Sequence, residues 1–535
     1  MPAAVPSPDQ AQTPRGQLPG RADSITSLHL PQAMGRPHQA ALAWAGVATI
    51  GLGVFGFRLI PVAEGDRAIF EAVGDGLRTG QRLYAEVYDN KEPLFFYAVA
   101  LQRWLGAFGG WLFEAACLAL AGWSLAGLHR WLAGGEPERR GEWLSGVLGA
   151  LLLSGGFWGA GQPQLPASAL LLLSVLLICR GRPAGAGIAT AAMAGFKLIS
   201  LPVGVAMATV LLPPPQKARS LLRFCAAAAL AGALLVLVLH GRGELAAYGQ
   251  TLANNLLYSQ GLLIQPGSVL QVTASHGRTL FLSGKNNALM LLALVTAAAI
   301  LLKSARDPSP RRARLARAGL AGLVCAAAIT TGTGLWAGHL QLLYPTQCLA
   351  LVLLVQGWQP QIRWQKAMRL PSLLLITAFL SGTLDLAPTY WLRPHQIADR
   401  VARLQQRSPE EIALRRSFPE RVPNFARLGG NGGRIPVGLD GSRLTCADFH
   451  QYGFYGEERL AGILGCISRS PVVLVSADFT PWDGVPTWLP AEAQGAVIQQ
   501  RWNRFVAGAE ERLAAGFHCR RGASGARVCL AKGPR

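Results

Sequence analysis

Long runs of apolar residues, separated by short polar loops, recur from residue 40 to about residue 390. Runs of this kind are typical of helices that cross a bilayer, which need about 20 apolar residues. Several runs are rich in glycine and alanine, which lets helices pack closely in lipid. The predicted spans lie at about 40–60, 110–132, 142–159, 166–180, 184–197, 198–212, 221–240, 286–303, 317–337, 340–357 and 370–389. The pattern therefore predicts an α-helical polytopic membrane protein with about eleven transmembrane helices.

The residues before the first span have a different composition. Residues 1–38 are rich in proline, glutamine, serine and glycine and have no apolar periodicity, so we expect a disordered tail. We expect no cleavable signal peptide, because the first apolar run follows a long polar stretch and lacks a small-residue cleavage site. The membrane domain is predicted over residues 39–392.

From about residue 393 onward the sequence is that of an ordinary globular protein. Two runs, Pro471–Ser476 and Arg527–Leu530, have the composition of strands, and Ala496–Phe517 has the periodicity of a helix. Residues 393–535 are therefore predicted to form a small α/β soluble domain.

Four of the nine cysteines lie in this C-terminal domain, and the others lie in predicted spans, where they act as small apolar residues. In an oxidising compartment, four cysteines can form two disulfides by three connectivities. We expect at least one disulfide and leave the connectivity open. A zinc site is not expected, because no Cys-x-x-Cys spacing occurs among the four. They are Cys446, Cys466, Cys519 and Cys529.

The basic residues indicate how the chain crosses the membrane. With the N-terminus in the cytoplasm, the basic residues fall in the connections on the cytoplasmic side, as the positive-inside rule requires. This predicts a bacterial inner-membrane protein with a periplasmic C-terminal domain. The net charge of +21 then reflects topology, and a nucleic-acid partner is excluded because no aromatic residues alternate with the basic ones. The connections contain Arg130, Arg139 and Arg140; Arg180 and Arg182; Lys217, Arg219 and Arg223; Lys303, Arg306, Arg311, Arg312, Arg314 and Arg317; and Arg363, Lys366 and Arg369.

The first outer loop, residues 61–109, is unusually polar and rich in acidic residues. Apolar residues recur at helical spacing from Asp66 to Thr79, and Gly80 ends that pattern. The segment 93–108 is too short and too polar for a span, so we interpret both segments as interfacial helices.

Such a loop suits a lipid head group whose tail remains in the bilayer. When a lipid phosphate leaves, negative charge grows on it, and Lys91, just before Pro93, is placed to neutralise that charge. An acceptor hydroxyl needs a base, and Asp66 opens a helix whose dipole favours the ionised carboxylate.

Three motifs resemble those of the GT-C glycosyltransferases, particularly the bacterial protein O-mannosyltransferase and lipid A aminoarabinose transferase group. The first combines Asp66 with Gly80-Gln81-Arg82-Leu83-Tyr84 and Tyr88-Asp89-Asn90-Lys91-Glu92-Pro93. The second is Gly338-His339-Leu340-Gln341-Leu342-Leu343-Tyr344-Pro345, and the third is Lys197 where a span emerges. The resemblance covers roughly residues 40–390.

The resemblance implies a polyprenyl-phosphate sugar donor, a catalytic carboxylate at Asp66 and a lysine on the lipid phosphate at Lys91. It also places Tyr88 near the donor. The chain departs from the family pattern at Arg67, at Glu92 (a proline in the family) and at Gln162 and Gln164, where many members carry an acid. Fewer carboxylates remain to coordinate a divalent cation, so the sequence predicts no metal ligands and does not support a cation, which stays an open alternative.

Each candidate residue also has a structural interpretation. Asp66 could cap its helix, Asp89 could be a turn residue as well as a second catalytic group, and Lys91 could reach along the interface. An ionisable Lys197 at membrane depth suggests function, although at a span end it would be ordinary. His339 and Arg278 are candidates for donor contacts, with a structural hydrogen bond and a solvated loop as their alternatives.

Together these observations predict a glycosyltransferase that moves a hexosyl or pentosyl group from a polyprenyl-phosphate donor to an extracytoplasmic lipid, glycan or protein. Two alternatives remain open. A lipid-linked saccharide flippase should show internal repeats and ionisable residues at the bilayer midplane, and we find no repeat. A non-catalytic scaffold of an envelope polysaccharide assembly complex would explain the departures at Arg67, Glu92 and Gln162.

Overall fold

The computed structural model describes thirteen stretches of the chain, all within one compact unit, Trp44–Arg535. The predicted tail 1–38 and the predicted spans 40–60 and 370–389 lie outside the described residues. The described stretches are 66–106, 109–135, 139–154, 161–212, 217–263, 285–332, 341–357, 407–429, 435–450, 452, 455–486, 492–522 and 525–533.

The described part of the chain is mostly helical, with one small sheet near its C-terminal end. The helices are α1 Asp66–Arg78, α2 Pro93–Trp104, α3 Gly109–Leu132, α4 Arg139–Ser154, α5 Gln164–Cys179, α6 Pro183–Phe196, α7 Leu201–Leu211, α8 Lys217–Gly241, α9 Leu245–Leu263, α10 Lys285–Ser304, α11 Pro310–Gly332, α12 Tyr344–Gln356, α13 Pro409–Ser417, α14 Glu457–Arg469 and α15 Glu492–Gly516. The strands are β1 Ala426–Leu428, β2 Val472–Val475, β3 Phe517–Arg521 and β4 Arg527–Ala531.

Three of the described helices, α3, α8 and α11, are long and apolar enough to cross a membrane. The other predicted spans that fall on described residues each overlap a helix, but several of these helices are shorter than the roughly 20 residues that a bilayer requires. The membrane character of the chain is therefore supported, and the count of eleven spans stays a prediction.

The break between α6 and α7 coincides with the lysine that interrupts the apolar run. Lys197 is extended, with φ −153° and ψ 94°, and a short 3₁₀ turn, Leu198–Ser200, leads into α7. Pro202, in the first turn of α7, has no backbone N–H, and in a continuous helix its ring would clash with the carbonyl four residues earlier, so the helix breaks before it.

The helical bundle has two ends that can be identified by their contacts. At one end, Arg311 Nη1 donates a hydrogen bond to Trp131 O at 3.0 Å. At the other end, the backbone N–H of Gly161 donates to the Glu114 carboxylate. Helix α3 runs between these two ends, and the side of the membrane to which each belongs stays a prediction.

Helices α1 and α2 pack against each other across the first loop. Arg103 on α2 forms ion pairs with Asp75 at 2.9 Å and with Glu71 at 3.4 Å on α1. The two backbones approach closely at Gly74, where an added Cβ would lie 2.8 Å from Val99 Cγ1. The predicted helices in this loop are confirmed, although α2 ends at Trp104, before the predicted residue 108.

We expect Gly74→Leu to lower the free energy of unfolding by about 1–3 kcal/mol, since the added side chain overpacks the α1–α2 crossing. The measurement is the thermal midpoint of unfolding in detergent. Gly232→Leu is the matched control, because a Cβ at this helical glycine in α8 meets no atom within 4 Å. Equal midpoints for the two variants would contradict the prediction.

The C-terminal sheet has the strand order β1-β2-β4-β3, with β1 and β2 parallel and the other pairs antiparallel. The predicted strands at 471–476 and 527–530 are confirmed as β2 and β4. The predicted helix 496–517 is confirmed as α15, except that Phe517 begins β3. Two disulfides, Cys446–Cys466 and Cys519–Cys529, confirm the expectation of at least one.

The C-terminal region packs directly on the first loop. Gln81 Nε2 donates to Leu444 O at 2.9 Å, and the backbone N–H of Tyr88 donates to Ala447 O at 3.0 Å. Apolar residues of α1, α2 and the C-terminal region also share one buried cluster. The boundary at residue 392 stays a prediction, but the two regions are joined by a packed core wherever both are described.

Candidate functional site

Asp66 is the first residue of α1, where the unpaired backbone N–H groups of the helix favour a negative charge. Gln162, in the turn before α5, donates from Nε2 to Asp66 Oδ2 at 3.5 Å. Arg67 pairs with Glu71 one turn along the helix, with 2.9 Å between Nε and Oε1. The departure at Gln162 thus places a hydrogen-bond donor, and no competing carboxylate, beside Asp66.

Lys91 is held by neutral groups. Its ammonium donates to Asn90 Oδ1 at 2.7 Å and lies 5.7 Å from the centroid of the Phe70 ring. Its backbone carbonyl accepts a hydrogen bond from the Tyr84 hydroxyl at 2.7 Å. Lys91 forms no ion pair with any residue that the structure describes, so its positive charge is available to an anion.

Lys197 is buried, with 6% of its surface exposed. Its side chain makes no hydrogen bond or ion pair with another described residue. The charges of Glu92, Lys91 and Asp66 all act on it. Lys197 therefore lies within electrostatic reach of Asp66 and Lys91, two candidates from a segment more than 100 residues earlier in the sequence.

Glu92 links these two segments. One carboxylate oxygen, Oε1, accepts the backbone N–H of Leu198 at 2.6 Å, directly after Lys197. Burial raises the pKa of the Glu92 carboxyl above its ordinary value, and the charge of Lys197 opposes that rise only in part. The sequence showed Glu92 only as a departure from a proline, and its position next to Lys91 was the one available signal.

Asp89 is fully buried, and its carboxylate is occupied by two donors. Oδ1 accepts the backbone N–H of Lys91 at 3.1 Å, and Oδ2 accepts from His450 Nε2 at 2.9 Å. Burial opposes ionisation of Asp89, but the charge of Lys91 and the hydrogen bond from His450 outweigh burial and hold its pKa below the ordinary value. These contacts describe a carboxylate that orders the loop, and its predicted catalytic role remains untested.

Tyr88 faces the C-terminal region. The Arg459 guanidinium lies 3.9 Å from the Tyr88 ring centroid and 4.4 Å from that of Tyr455. This stacking buries the Tyr88 ring, so the structure places it in the junction with the C-terminal region. Its predicted contact with a donor is not tested by this arrangement.

Helix α9 lies along the other side of the first loop. Glu244, fully buried just before α9, accepts hydrogen bonds from the Leu83 backbone N–H at 3.0 Å and from the Tyr97 hydroxyl. Asn255 Nδ2 on α9 donates to Asn90 O at 2.9 Å. Sequence reasoning missed Glu244, because a single acid after a span gives no periodic signal.

Two predicted site residues, Arg278 and His339, lie outside the described residues. Within the described stretches, no group of three or more His, Cys, Asp or Glu side chains could hold a metal ion. The described candidate site thus consists of the half-buried carboxylate of Asp66, the two lysines, and Glu92, which links the lysine segments.

No known family model matches the chain, and no curated protein matches its sequence significantly. Similar solved structures include the arabinofuranosyltransferase AftD from Mycobacteria, which is 13% identical with a TM-score of 0.47 over 92% of this chain and 40% of AftD. The oligosaccharyltransferase AglB from Archaeoglobus fulgidus, in complex with an inhibitory peptide and a dolichol-phosphate, is 10% identical with a TM-score of 0.44, over 93% of this chain and 74% of AglB.

The apo form of the Archaeoglobus fulgidus oligosaccharyltransferase is 11% identical with a TM-score of 0.42, over 94% of this chain and 75% of that protein. These proteins are glycosyltransferases by name, the class that the sequence resemblance implies. This chain spans less than half the length of AftD. At TM-scores below 0.5, the similarity does not decide what this chain does.

Proposed function

We propose that this chain is a membrane glycosyltransferase of the GT-C type, which transfers a sugar from a polyprenyl-phosphate donor to an extracytoplasmic acceptor. The observation that carries the proposal is that Glu92, next to Lys91, accepts the backbone N–H that follows the buried Lys197, and that the charges of Asp66 and Lys91 act on Lys197. Lys197 is buried and has no hydrogen-bond or ion-pair partner among the described residues, which costs folding free energy, and binding of an anionic ligand would offset that cost.

The reaction follows from these groups. The acceptor hydroxyl oxygen forms a bond to the anomeric carbon, and the bond from that carbon to the donor phosphate oxygen breaks. Lys91 and Lys197 neutralise the charge that grows on the departing phosphate. Asp66, oriented by Gln162, takes the proton of the acceptor hydroxyl.

The surroundings of the site fit a donor whose lipid remains in the bilayer. The last turn of α2 exposes Leu101 and Trp104, which are 60% and 73% accessible. Large apolar residues exposed at the end of a short helix are typical of an interfacial helix. A polyprenyl chain could therefore lie in the membrane while its phosphate reaches Lys91.

We also propose an inner-membrane location with a periplasmic C-terminal region. The two C-terminal disulfides support this orientation, because disulfides persist in the periplasm and are rare in the cytosol. The acceptor is then a periplasmic lipid, glycan or protein.

The proposal is tested with the purified full-length chain in liposomes that contain polyprenyl-phosphate donors carrying labelled hexoses or pentoses. The acceptor is a periplasmic envelope extract. We expect label to appear covalently in an acceptor in a manner that depends on Asp66. Movement of the labelled lipid between leaflets without covalent transfer would instead identify a flippase. If neither covalent transfer nor lipid movement occurs, the chain is a non-catalytic scaffold.

A further inference from the structure

The Asp89 carboxylate connects the lysine of the site to the C-terminal region. It accepts one hydrogen bond from the Lys91 backbone and one from His450, two residues that are 359 positions apart in the sequence. Both Asp89 and His450 have fully buried side chains. Water therefore does not reach the Asp89–His450 hydrogen bond, and loss of the His450 donor leaves a buried carboxylate oxygen unsatisfied.

The Lys91 backbone is fixed from both sides. Its N–H is held by Asp89, and its carbonyl is held by the Tyr84 hydroxyl. Tyr84 has a positive φ of 63°, a conformation that a tyrosine keeps only where its surroundings hold it. Phe96 and Tyr248 pack against its ring and supply that support. Asp89, and with it His450, therefore determines the position of the Lys91 N–H, as Tyr84 does for the carbonyl.

We propose that His450 is a positioning residue of the transfer site, which acts through Asp89 to place Lys91 against the donor phosphate. The inference rests on the proposed function. If His450 acts in this way, the C-terminal region contributes a residue to the donor site and does not merely pack beside it. Without the hydrogen bond from His450, Oδ2 of the buried Asp89 carboxylate has no donor. The carboxylate then turns toward another donor, and the Lys91 N–H loses its acceptor.

The test compares two amide variants of the full-length chain in lipid nanodiscs. In His450→Gln, the amide nitrogen extends about as far as Nε2 of histidine, whereas in His450→Asn it falls short. Both variants keep a buried amide, so a difference in their kinetics shows whether the amide nitrogen must reach the Asp89 carboxylate.

We expect His450→Asn to lower kcat/KM for a labelled polyprenyl-phosphate sugar about tenfold, mainly through KM, and His450→Gln to remain within about threefold of wild type. Hydrogen exchange of the peptide 86–92 should be faster in His450→Asn than in His450→Gln. A purely structural role would change the thermal midpoint without this split in KM.

Gln81→Ala is the control, because Gln81 joins the same two regions through Leu444 but does not contact Asp89 or Lys91. It should loosen the junction and leave kcat/KM close to wild type. Equal kinetics for the Asn and Gln variants, or an equal loss in Gln81→Ala, would overturn the inference.

The two proposals can fail separately. If wild type transfers no sugar from any lipid-linked donor, the proposed function fails. The exchange rates of peptide 86–92 then decide whether His450 fixes Lys91: faster exchange in His450→Asn alone supports the positioning, and equal rates overturn it.

Discussion

We expect Asp66→Asn to lower kcat for sugar transfer by about 10²–10⁴-fold, because a positioned general base usually contributes a factor of this size. Asparagine keeps the shape of the side chain and can still contact Gln162, so the fold around the start of α1 should survive. What is lost is the negative charge and the basicity of the carboxylate, so the side chain can no longer take the proton of the acceptor hydroxyl.

The measurement is single-turnover transfer of a labelled sugar by membranes that contain equal amounts of inserted protein. Glu86→Gln is the matched control, because Glu86 is an acid of the same loop that pairs with Arg82 at an exposed position. Its kcat should equal that of wild type. If Asp66→Asn transfers sugar at the wild-type rate, Asp66 is not the base.

The second large effect concerns the two lysines. We expect Lys91→Met and Lys197→Met each to reduce kcat/KM by about 100-fold, as removal of one charge-stabilising group does in enzymes that stabilise a leaving anion. Methionine preserves most of the side-chain volume and removes the charge, so the loss reports electrostatics.

Lys197 also allows a test by stability. A buried cation without a hydrogen-bond partner among the described residues lowers the stability of the folded state. The negative charge of the neighbouring Glu92 does the same, since the raised pKa of its carboxyl means that the folded state disfavours the charged form. The double variant Lys197→Met, Glu92→Gln should therefore unfold at a higher temperature at neutral pH while its activity falls. An amide at position 92 can still accept the Leu198 N–H.

Lys303→Met is the control for both measurements, since Lys303 is exposed near the opposite end of the bundle, at the end of α10. It should leave activity and thermal midpoint unchanged. A double variant that loses stability would show that Lys197 and Glu92 serve the fold. Single variants with full activity would show that the lysines do not act on an anionic ligand.

The departures from the family pattern acquire definite positions in the structure. Gln162 reaches Asp66, and Glu92 connects Lys91 with the turn after Lys197. Arg67 pairs along its own helix with Glu71. Glu92 and Gln162 thus lie among the residues of the candidate site. This placement fits a site with changed residues better than a site that has been lost.

Local patterns in the sequence were sufficient for much of the secondary structure. The helix from Asp66 ends where Gly80 permits a positive φ, and Pro93 begins the next helix, because both residues act through their own backbone geometry. The strand at Val472–Val475 and the helix at Glu492–Gly516 follow from composition and periodicity in the same way.

The number of spans was harder to establish, since short apolar helices such as Leu201–Leu211 have the composition of a span but about half its length. Likewise, the disulfides were expected, but four cysteines allow three pairings. Only the sheet, which places Cys519 opposite Cys529, selects one of them.

By itself, the sequence determined the helices, the acidic first loop and the residues that can carry chemistry, because these depend on neighbours within a few positions. Which of those residues meet was decided by the tertiary structure alone. Glu92, next to Lys91, binds the backbone after Lys197, and His450 binds Asp89, through packing of segments far apart in the chain. Hydrophobic periodicity specifies which face of a helix is buried, but it does not specify the partner against which that face packs.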